Sequence, residues 1–123
     1  MKSQGFTRND IFQYAKESFG TIPEFLWRKS PNYAVLRHSN NSKWYAVIMD
    51  VPGQRLGLTD SEKKDILNVK CPPMLIDAFL NREGFLPAYH MNKRNWLSIL
   101  LDGTVPNKEI LDLLSLSFDM TES

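Results

Sequence analysis

His90, Met91, Asn92, Lys93, Arg94 and Asn95 place an imidazole, two carboxamides, an ammonium and a guanidinium side by side, between Tyr89 and Trp96. No acid occurs from Gly84 to Leu101. Lys93 and Arg94 can neutralise phosphates, and Asn92 and Asn95 can hydrogen-bond phosphate oxygens or base edges. A solvated turn uses the same residues more simply: the lysine keeps a hairpin end soluble and Asn92 caps its own turn. An imidazole can serve as a general base near neutral pH, yet no nucleophile or acidic partner lies near His90 in sequence. We therefore read it as a residue that orients the turn. With Trp44, Tyr89 and Trp96 it also defines a possible pocket for a small molecule or a partner peptide.

Further cations form a second group. Arg28 and Lys29 follow Trp27, and Arg37 and Lys43 flank a polar turn at Ser39–Ser42, with no acid between Phe25 and Met49. The formal net charge is only +1, but the chain from Asp102 onward carries Asp102, Glu109, Asp112, Asp119 and Glu122 against Lys108. A near-neutral molecule is thus expected to be electrically lopsided. Trp27, Trp44 and Trp96 are either stacking platforms or partly buried bulk.

Several classes are not supported. The glycines of VPGQRLGLTDSEKK do not follow the order of a phosphate-binding loop, and there is no GxSxG, no HExxH and no paired cysteine. His38, His90 and Cys71 are too scattered for a metal site, so no metal, cofactor or catalytic residue is expected. Cys71 reads as a small core side chain. No apolar run is long enough to span a bilayer, MKSQGFTRND lacks an apolar signal core, and a lone cysteine suits the cytoplasm.

The elements that must position these residues follow from periodicity. Ile11, Phe12, Ala15 and Phe19 predict a helix from Thr7, the N-cap, to Phe19, ended by Gly20. FLWRKSP is a connector or short edge strand. Strands are predicted at Tyr33–His38 and Lys43–Asp50, the second with Tyr45, Val47 and Met49 on one face and Trp44, Ala46 and Ile48 on the other. A long mobile loop over Val51–Lys64 precedes a third strand, Asp65–Cys71. Pro73 opens a helix to Arg82. Around the polar turn, Gly84 onward and Trp96 onward form a second hairpin, with Leu97, Ile99 and Leu101 facing the core. Pro106 opens a third helix to Asp119, with Glu109 and Asp112 facing water. The expected fold is α+β, two-layered, in the order α-β(3)-α-β(2)-α: a largely antiparallel five-stranded sheet with helices on one side. The size fits one domain over residues 1–123.

The run PAYHMNKRNWLSILLDGTVPNKEI resembles the signature region of the MmcQ/YjbR family, H-x-N-K-x-x-W followed by a strand and an L-D-G turn. YAVLRHSNNSKWYAVIMDVPGQRLG and DILNVKCPPMLIDAFL resemble its upstream segments, so the resemblance runs from about Trp27 to Phe118. It implies the same element order, with two hairpins likened to the double wing of a phage transcription factor's DNA-binding domain. It also implies a DNA-binding label without a reaction or cofactor. The matching positions are His90, Asn92, Lys93 and Trp96, with Arg37 and Lys43.

Residues and resemblance together predict a small cytoplasmic DNA-binding protein of low sequence specificity. Its contacts would be Arg28, Lys29, Arg37, Lys43, Asn92, Lys93 and Arg94, with both hairpins flanking one concave surface. The alternative is a non-catalytic module that binds a small molecule or protein partner in the aromatic pocket of Trp44, Tyr89, His90 and Trp96.

Overall fold

Thr7 opens the first helix as expected: its hydroxyl accepts the Asp10 N–H while the Asp10 carboxylate accepts the Thr7 N–H, a reciprocal capping box. A computed structural model describes residues 6–122; the expectation for the N-terminal MKSQG lies outside them. The elements are α1 (Arg8–Phe19), β1 (Ala34–Arg37), β2 (Trp44–Pro52), β3 (Lys63–Lys70), α2 (Pro73–Phe79), β4 (Phe85–Pro87), β5 (Trp96–Leu100) and α3 (Asn107–Thr121). The strands form one antiparallel sheet in the order β1-β2-β3-β5-β4.

All three helices cover one face. Ile11 and Ala15 of α1, Ile76 of α2 and Ile110, Leu113 and Leu114 of α3 pack on Leu36, Ile48, Leu67, Val69, Leu97 and Ile99. Burial of aliphatic side chains at this density, roughly 1.5–3 kcal/mol each, is the main force holding helices to sheet. The second face carries its own core of Val35, Val47, Met49, Val51, Ile66 and Leu100, covered by loops that contribute Trp27, Tyr33, Leu56, Leu58, Tyr89 and Met91. Neither face of the sheet is bare.

Four expectations are corrected, the last two together. A bulge at Tyr45, where Leu36 pairs with Ala46 but Arg37 pairs with Trp44, interrupts the alternation of β2. Tyr45 and Ala46 therefore both face the helices, whereas Trp44 turns to the second face with Val47 and Met49. Ser117 of α3 fills the gap opened there: its hydroxyl accepts the Lys70 N–H at 2.8 Å and donates to the Tyr45 carbonyl at 2.6 Å. Secondly, the mobile loop is shorter than expected, because Val51 pairs with Lys64 and Pro52 with Lys63. Its remainder begins with a 3-10 turn, Gly53–Leu56, and is tied down by Leu56 and Leu58. Thirdly, α2 stops at Phe79, and Glu109 does not simply face water: it holds Arg82 through two bonds of 2.7 Å.

Candidate nucleic-acid interface

The sheet order decides where the two hairpin tips go. β1 and β4 run in one direction and β2 and β5 return, so both tips leave the same end of the sheet, one near each edge. They then lean to opposite faces. The first tip bends toward the helices: Asn41 Nδ2 donates to the carbonyls of Thr121 at 2.9 Å and Glu122 at 3.0 Å. His38 beside it is buried, with Nε2 2.8 Å from Thr121 Oγ1 and its ring 4.2 Å from that of Phe118. The second tip folds over the other face, where Tyr89 and Met91 pack on the second core. The concave surface expected between the two tips is therefore not formed.

A polar pair in the middle of the second face fixes this lean. Asn68 and Ser98, paired across β3 and β5 and both fully buried, are joined by a hydrogen bond from the Ser98 hydroxyl to Asn68 Oδ1. Ser98 Oγ also accepts the Tyr89 N–H at 3.0 Å, and Asn68 Nδ2 reaches the Tyr89 carbonyl at 3.5 Å. Two buried side chains thus grip both backbone groups of one loop residue, which satisfies groups that would otherwise be costly to bury.

Within the second tip the asparagine acts locally. Asn92 Oδ1 accepts the Arg94 N–H at 2.9 Å, and its carbonyl accepts the N–H groups of Asn95 and Trp96. Lys93 extends back to donate its ammonium to the Ala88 carbonyl at 2.9 Å. That bond uses one of three donors and leaves the charge at the surface. Arg94 is exposed. His90 is exposed too, adopts a left-handed backbone with φ 58°, and sets its ring edge-on to Tyr89 with centroids 4.1 Å apart.

The other expected contacts divide. Trp27 packs on the second face, edge-on to Tyr33 and Trp44, and so carries the exposed Arg28 and Lys29 to the β1 side of that face. Among the described residues no carboxylate lies within ion-pair distance of Arg28, Lys29, Lys93 or Arg94. Arg37 differs: Nε and Nη2 each donate to the Glu24 carboxylate at 2.7 Å, and the pair raises the guanidinium pKa further. Lys43 is exposed on the tip that leans toward the helices. Of the four expected pocket residues, Tyr89 and His90 adjoin each other, while Trp44 lies under Trp27 and Trp96 stands on β5; they do not enclose one pocket.

Two cations outside the expected contact set adjoin this surface. Lys70 ends β3 on the side shared with Ile66 and Asn68, opposite Trp96, between the two groups of exposed cations. Its place is legible from the alternation that sends Leu67, Val69 and Cys71 to the helices. Arg55, on the 3-10 turn, is exposed beside the second tip. The only sequence signal for it is the pair of leucines, Leu56 and Leu58, that anchors its loop.

A cavity of about 570 Å³ lies elsewhere, between the end of α1, the first tip and the end of α3, and is lined by Thr21, Glu24, Arg37, His38 and Phe118 among others. Cys71 is buried, and burial pushes its thiol up to about 11, an unreactive state at neutral pH. Among the described residues no group of three or more His, Cys, Asp or Glu side chains is placed to hold a metal, and no helix is long and apolar enough to cross a membrane.

Comparison with known proteins sets these observations in context. Residues 17–120 match the model of the YjbR family. The Bacillus subtilis (strain 168) protein YyaQ, which is uncharacterized, is 50% identical over 116 residues, covering 94% of this chain and 98% of its own. A Pseudomonas syringae protein is similar in structure: its crystal structure gives a TM-score of 0.92 at 40% identity, covering 94% of this chain and 99% of that one. A solution structure of a protein from the same organism gives 0.84 at 40% identity, covering 94% and 93%. The crystal structure of a Deinococcus radiodurans protein with a DUF419 domain gives 0.75 at 20% identity, covering 100% and 83%, a likeness of fold alone.

Proposed function

The chain belongs to the YjbR family, and we propose that it is a small, non-catalytic protein that binds nucleic acid, as duplex DNA, weakly and with little sequence discrimination. The binding surface is the rim of the second face. Arg28 and Lys29 border it on the β1 side, Lys93 and Arg94 on the second tip, and Lys70 lies between. The observation that supports this reading is that the acid-free second tip is folded over the same face as the Trp27 turn, with cations on both that have no carboxylate partner among the described residues. Arg37 is left out because Glu24 already neutralises it, and Lys43 because its tip leans to the helical side. The α3 acids lie on that helical side, away from the polyanion. Asn92, spent on its own turn, positions Lys93 and Arg94 without reading bases, which is why specificity is low. The reading places the protein in the cytoplasm, where a lone buried thiol stays reduced.

Fluorescence anisotropy with a labelled duplex, titrated at several salt concentrations, tests this. Five engaged cations give a log–log slope of about −4.5. Absence of binding at low salt, or a slope near zero, would refute the proposal.

A further inference from the structure

A cleft of about 380 Å³ separates the 3-10 turn from the second hairpin tip, within the ~300–1,000 Å³ range of small-ligand sites. One wall is Arg55 and Leu56; the other is Ala88, Tyr89, His90 and Lys93. No carboxylate lines it. Neither Arg55 nor Lys93 has an ion-pair partner among the described residues, and the bond from Lys93 to the Ala88 carbonyl pins the ammonium at the cleft wall with donors to spare. Leu56 and Tyr89 pack on the second core, so an apolar wall stands beside the charges. His90 completes the site in a left-handed conformation, φ 58°, which a non-glycine residue adopts sparsely. Tyr33 lies near the same wall: its phenol pKa is raised by burial first and then by Tyr89 and Asp50, and is lowered by a hydrogen bond with Ser30 and, less, by Arg55.

We infer that this cleft is a small-molecule site for an oxyanion carried on a flat apolar ring. Arg55 and Lys93 hold the anion, Leu56 and Tyr89 face the ring, and the His90 edge closes the end. A guanidinium offers a planar fork that suits phosphate and carboxylate alike, so the shared chemistry is the ring-borne oxyanion. The site is distinct from the nucleic-acid surface in Arg55 and Leu56, although Lys93 serves both.

The test is an amide and arginine side-chain NMR titration of the full chain with phenyl phosphate, benzoate and inorganic phosphate in parallel, at about 0.15 M NaCl, where long-range attraction is screened. Phenyl phosphate or benzoate is expected to give saturable shifts at Ala88, Tyr89, His90 and the Arg55 side chain, at least about fivefold tighter than inorganic phosphate, about 1 kcal/mol. Whichever ring compound binds more tightly identifies the anion. Arg55→Ala is expected to abolish saturation while leaving duplex binding within twofold, and Arg28→Ala/Lys29→Ala to do the reverse. Non-saturating shifts, equal binding of inorganic phosphate, or shifts unchanged in Arg55→Ala would overturn the inference without touching the nucleic-acid reading.

Discussion

Ser98 donates its hydroxyl proton to Asn68 Oδ1 across β3 and β5, and the pair together holds the backbone of Tyr89. Sequence alternation puts two polar residues on a sheet face whose buried apolar residues are Val, Met, Ile and Leu. Their burial is tolerable because each polar group finds a partner, and the partner is the loop that carries Lys93 and Arg94. Ser98→Ala leaves the Tyr89 N–H and Asn68 Oδ1 without it. The expected cost is about 1–3 kcal/mol, read as a lower urea midpoint at unchanged slope. Amide exchange is expected to quicken at residues 88–95 before the rest of the sheet.

The Glu24 and Arg37 pair makes a functional prediction of opposite sign. Glu24→Gln removes a negative charge from the β1 edge and frees a guanidinium that was held by two bonds. Duplex affinity at low salt is expected to rise, and the salt slope to steepen by about 1 as a sixth cation becomes available. Anisotropy titration of this variant beside wild type checks both quantities.

Gly84 shows how tightly the second hairpin is set. Its φ is +96°, and a Cβ built there would stand 2.6 Å from Val105 Cγ2 and 3.1 Å from Thr104 Cγ2. Gly84→Ala therefore combines a left-handed backbone with overpacking against a branched side chain. The expected loss is about 2–4 kcal/mol, measured by chemical denaturation. Gly57→Ala is a useful contrast: its φ is +83°, but nothing lies within 4 Å of the added carbon, so only the backbone term should appear.

The Arg82 and Glu109 pair predicts a pH dependence. Hydrogen bonds from Arg82 hold the Glu109 carboxyl below its ordinary value of 4.5. Since the folded carboxyl ionises more readily than the unfolded one, the stabilisation is complete above about pH 4.5 and is lost as pH falls through the lower folded value. Glu109→Gln should lower the urea midpoint at pH 7, and the difference from wild type should shrink as the solution is acidified through the lowered carboxyl value. A difference that persists in acid would mean that packing rather than charge supplies it.

Much of the fold is legible because helical and strand periods are clean where a face is buried. Ile11, Ala15 and Phe19 announce α1, and Leu67, Val69 and Cys71 announce the helical face of β3. The Tyr45 bulge is not legible, because it depends on Ser117, distant in sequence, entering the ladder. For the same reason the faces of Trp44 and Tyr45 come out reversed from simple alternation. The site follows the same rule. The acid-free stretch from Gly84 to Leu101 is visible at once, whereas the loss of Arg37 to Glu24 requires knowing that residue 24 bridges Val35 at the sheet edge. Arg55 was hidden in a glycine-containing loop whose order comes from Leu56 and Leu58 packing on a face the sequence does not show to be covered.

The most direct test of the central claim, that one face and not two wings meets the nucleic acid, compares duplex affinity across three variants by anisotropy at low salt. Lys93→Ala/Arg94→Ala and Arg28→Ala/Lys29→Ala are each expected to weaken binding about tenfold or more, while Arg37→Ala stays within twofold of wild type. Equal losses in all three, or a loss confined to Arg37→Ala, would contradict the account.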